Sequence, residues 1–272
     1  MTTRPIGMTL CLRHLAAGLL LALSLALSAP AAAQDQSTPA AGAAQSLPGS
    51  FSPEQVEGIE RLIQQYLMNN PQVLVESLNR FQQRQRVADQ QRKQQAVRVH
   101  RKALYEDPDT PVFGNLEGDV AIVEFFDYRC PYCRKVAPTI KKVMEEDGKI
   151  RLVMKEFPIL GPKSVQAARA ALAAAKQGKY EEFHWALMMK PGDMSAPHIR
   201  QTARDVGLDV KRLEDDMKSP DIERMIQINR QLATALSIQG TPAFVIGNAL
   251  VPGAIDLPTL KRLVAEARAN AS

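Results

Sequence analysis

The sequence predicts an α/β domain with a helical insertion, preceded by an all-α N-terminal stalk. Three observations predict it. Residues 108–272 read as strand, helix, strand, a long helical stretch, a hairpin and a last helix. Residues 51–81 carry apolar side chains at helical spacing. Residues 82–107 favour helix yet are almost wholly polar, the pattern of a solvated rod between two modules.

The first segment sets the compartment. Residues 1–14 hold Arg4 and Arg13 and no acid, and an apolar run follows from Leu15 to Ala29. Pro30-Ala31-Ala32-Ala33-Gln34 then supplies small residues at Ala31 and Ala33. This is the pattern of a secretory signal peptide over 1–33, cut after Ala33. A membrane anchor is the competing reading, but a span takes about 20 apolar residues. Export to the periplasm is the expectation. Losing 1–33 removes two arginines, so the net charge falls from +5 to +3, and no basic motif points to nucleic acid. Residues 34–50 are rich in Ala, Gln, Ser, Pro and Gly and read as a disordered leader.

Ordered structure is expected from Phe51. Ser52-Pro53-Glu54 is a helix start, with a capping serine, proline in the first turn and an acid beside it. Val56, Ile59, Leu62, Ile63, Tyr66 and Leu67 recur at helical spacing. Asn69-Asn70-Pro71 ends that helix and opens a second, striped by Val73, Leu74, Leu78 and Phe81. Residues 51–81 are too few to enclose a large core. Their stripes, around Ile59, Leu62, Ile63 and Leu67 and then Leu74, Leu78 and Phe81, are expected to join copies of the chain. Packing back onto the C-terminal domain is the alternative. In Gln82–Arg98 only Val87 and Val97 interrupt the polar run.

Within 108–272, Val120 to Phe126 has a buried-strand pattern broken by Glu124. A helix over 130–146 and a strand over Ile150–Met154 follow. An insertion of helices fills about 161–238. Ala243–Ile246 and Ala249–Val251 form a hairpin about Gly247-Asn248, and Leu257–Ala269 is the last helix. Phe183-His184-Trp185 reads as core packing, with His184 structural.

The mature chain keeps two cysteines, in Cys130-Pro131-Tyr132-Cys133. The loop they close is too short to staple a domain. Zinc would need more ligands, and His100, His184 and His198 lack zinc spacing, so no metal site is expected. The strand-to-helix setting points to a redox dithiol and to no other cofactor. Cys130 is expected at a helix N-terminus, where free N–H groups and the dipole favour a thiolate. Pro131 suits the first turn. Cys133 lies one turn on, placed to resolve a mixed disulfide. Pro131 and Tyr132 help set the reduction potential. In Gly240-Thr241-Pro242-Ala243-Phe244, proline at a strand entrance marks a special turn. An ordinary turn is one reading; beside the cysteine pair it resembles the cis-proline loop of thioredoxin-like proteins. That loop leaves Thr241 backbone groups for an extended substrate.

Glu124 to Cys133, the helical insertion and Gly240 to Phe244 together resemble the DsbA-like family over roughly 108–272. The resemblance implies a thioredoxin-like fold. Phe51-Ser-Pro-Glu-Gln, Tyr66 to Pro71 and Leu74 to Leu78 are similar to the N-terminal region of the ScsC-like (suppressor of copper sensitivity C) group. That similarity implies oligomerisation, a trimer favoured, a flexible linker and disulfide isomerase activity. Many DsbA-like oxidases have His where this chain has Tyr132, and Val where it has Thr241; Thr241 is similar to isomerase-type members. The family also implies a buried acid six residues before the first cysteine, where Glu124 stands, to accept the Cys133 proton. Lys155 on the next strand is its expected partner; both pointing outward at strand ends is the other reading.

Three functions stay open: an oligomeric isomerase kept reduced, a monomeric dithiol oxidase kept oxidised, and a copper-binding protein using both thiolates. The first two imply exported cysteine-containing clients and a membrane reductase or oxidase that resets the Cys130–Cys133 pair.

Overall fold

A computed structural model describes residues 51–270. The signal segment and leader expected over 1–50 lie outside the described residues. Helix α1 is Pro53–Asn69. Its start is a capping box: the Gln55 N–H donates to Ser52 Oγ (3.4 Å), and the Ser52 N–H donates to Gln55 Oε1 (2.9 Å). The stripe of Ile59, Leu62 and Ile63 is exposed, and α1 buries none of its residues.

Helix α2, Gln72–Val99, is one unbroken helix. It takes in both the apolar turns bearing Leu74, Leu78 and Phe81 and the polar run expected as a separate linker. Leu74, Leu78 and Phe81 are exposed. At the other end Val97 is buried with Leu104, Tyr105, Val123 and Val245. The polar run is therefore not solvated along its whole length; its last turns dock on the sheet.

The remaining elements are α3 (Arg101–Tyr105), β1 (Val112–Gly114), β2 (Val120–Phe126), α4 (Pro131–Asp147) and β3 (Ile150–Glu156). Then come α5 (Pro162–Ala175), α6 (Tyr180–Met189), α7 (Ala196–Asp205), α8 (Val210–Asp216) and α9 (Pro220–Ala235), followed by β4 (Ala243–Ile246), β5 (Ala249–Pro252) and α10 (Leu257–Ala269). The sheet order is β1-β3-β2-β4-β5, with β2 and β3 parallel and the other pairs antiparallel. β1, three residues long, is too short to show a period.

Strand alternation divides the core in two. Ile122, Phe126, Leu152 and Met154 point to the face covered by α4 and the insertion helices. Val123, Phe125 and Val153 point to the other, with α3 and the end of α2. α4 starts at Pro131 and ends on Gly148, whose φ of 68° is the left-handed geometry that glycine adopts freely.

Candidate active site

The turn from β2 into α4 is built by Asp127, itself buried. Its Oδ1 accepts from the Arg129 N–H (2.8 Å), and its Oδ2 accepts from the N–H groups of Ile159 (2.9 Å) and Leu160 (3.0 Å). Its carbonyl accepts from the Cys130 N–H (3.0 Å). Nothing in the sequence pattern singles out Asp127, because the partners of its Oδ2 lie some thirty residues on.

Cys130 occupies the N-cap of α4 and is 4% exposed; Cys133 is fully buried. The pair stands as two thiols. The Cys130 thiol donates to the Thr241 carbonyl at 3.2 Å, and the Thr241–Pro242 bond is cis. The structure thus brings Cys130, Cys133, Thr241 and Pro242 together, from segments over 100 residues apart. Pro131 takes the first helical turn, and Tyr132 is 62% exposed at its surface. Arg134 ties the start of α4 to the end of α6, donating to the carbonyls of Leu187 (3.0 Å) and Lys190.

The two thiols are electrostatically unlike. The Cys133 thiol, a hydrogen-bond donor beside Cys130, lowers Cys130 to a pKa of about 5, and Thr241 and the backbone N–H groups of the first turn add to this against burial. Burial and the neighbouring thiolate push Cys133 far above the usual thiol range. Cys130 is the more acidic thiol of the two, and Cys133 is held in its protonated form.

Glu124 is 3% exposed and lies behind the pair on the α4 face of β2. Burial, and secondarily the charge on Cys130, raise it to about 8. Lys155 is not its partner. In the parallel register Glu124 sits opposite Met154, and Lys155 opposite Phe125, so the two side chains leave opposite faces of the sheet. Lys155 is not outward at a strand end either: it is 0% exposed, donating to Thr110 Oγ1 (2.5 Å) and Asp107 Oδ2 (3.2 Å). The sequence suggested the pair from adjacency alone; strand alternation separates it.

A second acid went unnoticed in the sequence. Glu156, also buried, shares the α4 face with Glu124. Its Oε1 accepts from Tyr180 (2.8 Å) and Tyr128 (3.2 Å), and the Tyr128 hydroxyl lies 3.1 Å from His184 Nδ1. Burial pushes Glu156 well above the carboxylate range and His184 down to about 3, so burial disfavours the charged form of both. His184 is a packed, hydrogen-bonded core residue. Glu156 ends a strand that the sequence pattern closed at Met154, which is why it was missed. Among the described residues, no group of three or more His, Cys, Asp or Glu side chains could hold a metal ion.

This chain matches the family profile described as DSBA-like thioredoxin domain over residues 121–265, and that of the copper resistance protein ScsC N-terminal domain over 55–88. It is 48% identical to a thioredoxin-like oxidoreductase of Silicibacter pomeroyi, covering 62% of this chain and 98% of that one, with a TM-score of 0.61. Proteus mirabilis ScsC, in a linker-deletion mutant, is 27% identical over 82% of this chain and 100% of that one, again at 0.61. A periplasmic thioredoxin-like protein of Salmonella enterica serovar Typhimurium is 31% identical over 63% of this chain and 97% of that one, at 0.56. Among curated proteins, a sodium/proton antiporter NhaA of Salinispora tropica is 29% identical over 168 residues, 61% of this chain. The chain spans only about a quarter of the length of such relatives, 26% in that case.

Proposed function

The chain belongs to the DsbA-like thioredoxin family, and from that premise we propose that it is a periplasmic protein disulfide isomerase working as an oligomer through Cys130 and Cys133. One observation carries the redox part: two thiols one helical turn apart, one pulled down to about 5 and the other pushed far up, with the reactive one against the Thr241 carbonyl.

The chemistry follows from that asymmetry. The Cys130 thiolate attacks one sulfur of a client disulfide. A Cys130–client S–S bond forms, the client S–S bond breaks, and the second client sulfur leaves as a thiolate that takes a proton from water. If another client thiolate then attacks the mixed disulfide, Cys130 is released as thiolate and the client is isomerised with no net change of oxidation state. If none does, Cys133 gives its proton to Glu124, attacks Cys130 and releases the client thiolate. The pair is then oxidised and the client reduced by two electrons. The charge on Cys130 helps hold Glu124 protonated. Once Cys130 is in a mixed disulfide that charge is gone, so Glu124 becomes a readier base at the moment Cys133 needs one.

The isomerase part is supported by the ScsC-type match over 55–88 and by the exposed apolar residues there. Joined catalytic domains hold a client at high effective concentration. Export is supported by the signal-type segment, and a membrane thiol reductase is the partner that keeps the pair reduced. Cys130→Ser should abolish both reduction and isomerisation, whereas Cys133→Ser should accumulate mixed disulfides with clients. Light scattering and scrambled-disulfide refolding, on the mature chain and on a form lacking 34–81, which keeps the buried Val97, Leu104 and Tyr105, test the rest. The shortened form should be a monomer that still reacts but no longer isomerises. A monomeric mature chain sinks the isomerase in favour of a dithiol oxidase.

A further inference from the structure

Strand β5 is an edge of the sheet, and α2 runs beside it. Between them are two cavities. One, of about 320 Å³, is lined by Ile238, Thr241, Pro242 and Leu250 with Lys93 of α2. The other, of about 390 Å³, lies between β5 and the α2 residues Arg86, Asp89 and Lys93. Lys93 and Leu250 line both, so the two form one trough. Each is within the size range of ligand pockets, about 300–1,000 Å³. One wall is apolar, and the other carries Arg86 and Lys93 with one acid, Asp89, which is paired with Arg92.

That wall carries a net positive excess. Residues 82–99 carry Arg84, Arg86, Arg92, Lys93 and Arg98 against a single acid, Asp89, and Asp89 is taken by Arg92. Arg86 and Lys93 have no ion pair or hydrogen bond among the described residues. They are seven residues apart, two helical turns, and so share one side of α2. The trough reaches the loop that touches the reactive sulfur, since Thr241 both lines it and accepts from Cys130.

We propose that this trough holds the client segment next to the attacked cysteine and selects segments that interleave apolar residues with acids. An extended chain places alternate side chains on opposite sides, so apolar residues can meet Leu250 and Ile238 while acids meet Arg86 and Lys93. This rests on the redox reading of Cys130. The consequence is that α2, outside the catalytic domain by sequence, is a specificity element of the site.

The test uses the mature protein and two peptides of equal length. Each has one cysteine, held as a disulfide with an uncharged small thiol, flanked by alternating Leu and Glu or by alternating Leu and Lys. The readout is the ratio of the two rates of Cys130 attack, which is internally controlled within each variant. Wild type should favour the acidic peptide by about fivefold at low salt, with the ratio shrinking as salt rises. Arg86→Glu with Lys93→Glu should bring the ratio to one or reverse it. Arg84→Glu, the same charge change on the same helix but outside the trough, should leave most of it. Equal rates in wild type, a ratio that survives the double substitution, or an equal loss in Arg84→Glu overturns the proposal. Wild type is also tested with 2-hydroxyethyl disulfide: no reaction there sinks the redox reading, while reaction there with equal peptide rates sinks only the trough.

Discussion

Both faces of the central sheet bury ionisable side chains, and Lys155 on one and Glu124 on the other are treated in opposite ways. On the face covered by α2 and α3, Lys155 is fully buried but met by Asp107 and Thr110. On the face covered by α4, Glu124 is buried with no ion pair among the described residues, and burial moves it to about 8. A compensated charge is an internal joint: it ties the segment after α3 to β3. An uncompensated one is a group held near its point of titration, the condition a proton acceptor needs. Sequence shows Glu124 and Lys155 alike as charged residues within apolar strands and cannot tell these cases apart; the partners decide.

The largest expected effect tests the joint. Lys155→Met leaves Asp107 without its buried cation and Thr110 without its donor. Urea unfolding should show a loss of about 3–5 kcal/mol, with the Cys130 titration unmoved. A Lys155→Met protein of normal stability but shifted thiol titration would reverse the roles assigned to the two faces.

Next comes Glu124→Gln. Resolution of a mixed disulfide by Cys133 should slow by about a hundredfold at neutral pH while the first attack by Cys130 persists. Stability should move the other way. Because Glu124 is raised to about 8, the native state keeps its proton between the ordinary carboxylate range and pH 8, where the unfolded chain has lost it. Wild-type stability therefore falls as pH rises through that window. The Gln variant escapes this fall and should gain on wild type by on the order of 2–4 kcal/mol from pH 5 to pH 8. Equal pH slopes in the two proteins would mean that Glu124 is not uncompensated.

The smallest effect sharpens the α4 face. Cys130 is lowered to about 5, so its thiolate absorbance should be lost as pH falls through about 5, and the attack rate on small disulfides with it. The sign for stability is opposite to that of Glu124: the reduced protein gains stability above pH 5 and loses it as pH falls through 5. A midpoint near the ordinary thiol value of about 8.5 would remove both the Cys133 hydrogen bond and the helix N-terminus from the account.

Local signals were legible. The apolar run into Cys130-Pro131-Tyr132-Cys133 gave a strand and a helix that the structure has as β2 and α4, and Leu257–Ala269 is α10 as read. Proline at 242 marked the loop that meets the thiol. Distant pairings were not legible. Lys155 bonds to a residue 48 positions earlier, and Glu156 gathers Tyr128 from the turn before α4 and Tyr180 from α6, with His184 of α6 reached through Tyr128. No period or spacing encodes such meetings. The polar composition of residues 82–99 also misled, since one buried side chain, Val97, is enough to dock the last turns of α2.

The continuity of α2 has a mechanical meaning. At about 1.5 Å per residue, its 28 residues make a rod of roughly 40 Å, seated at one end by Val97. Leu78, in the apolar turns, and Lys93, on the trough, lie roughly 22 Å apart on that rod with no proline, glycine or bulge between them. A helix without such a break does not absorb a twist applied to one end; it delivers it to the other. A partner that grips Leu74 and Leu78 and turns them would turn Lys93 against Leu250 as well, so α2 is both a spacer of fixed reach and a lever on the width of the trough.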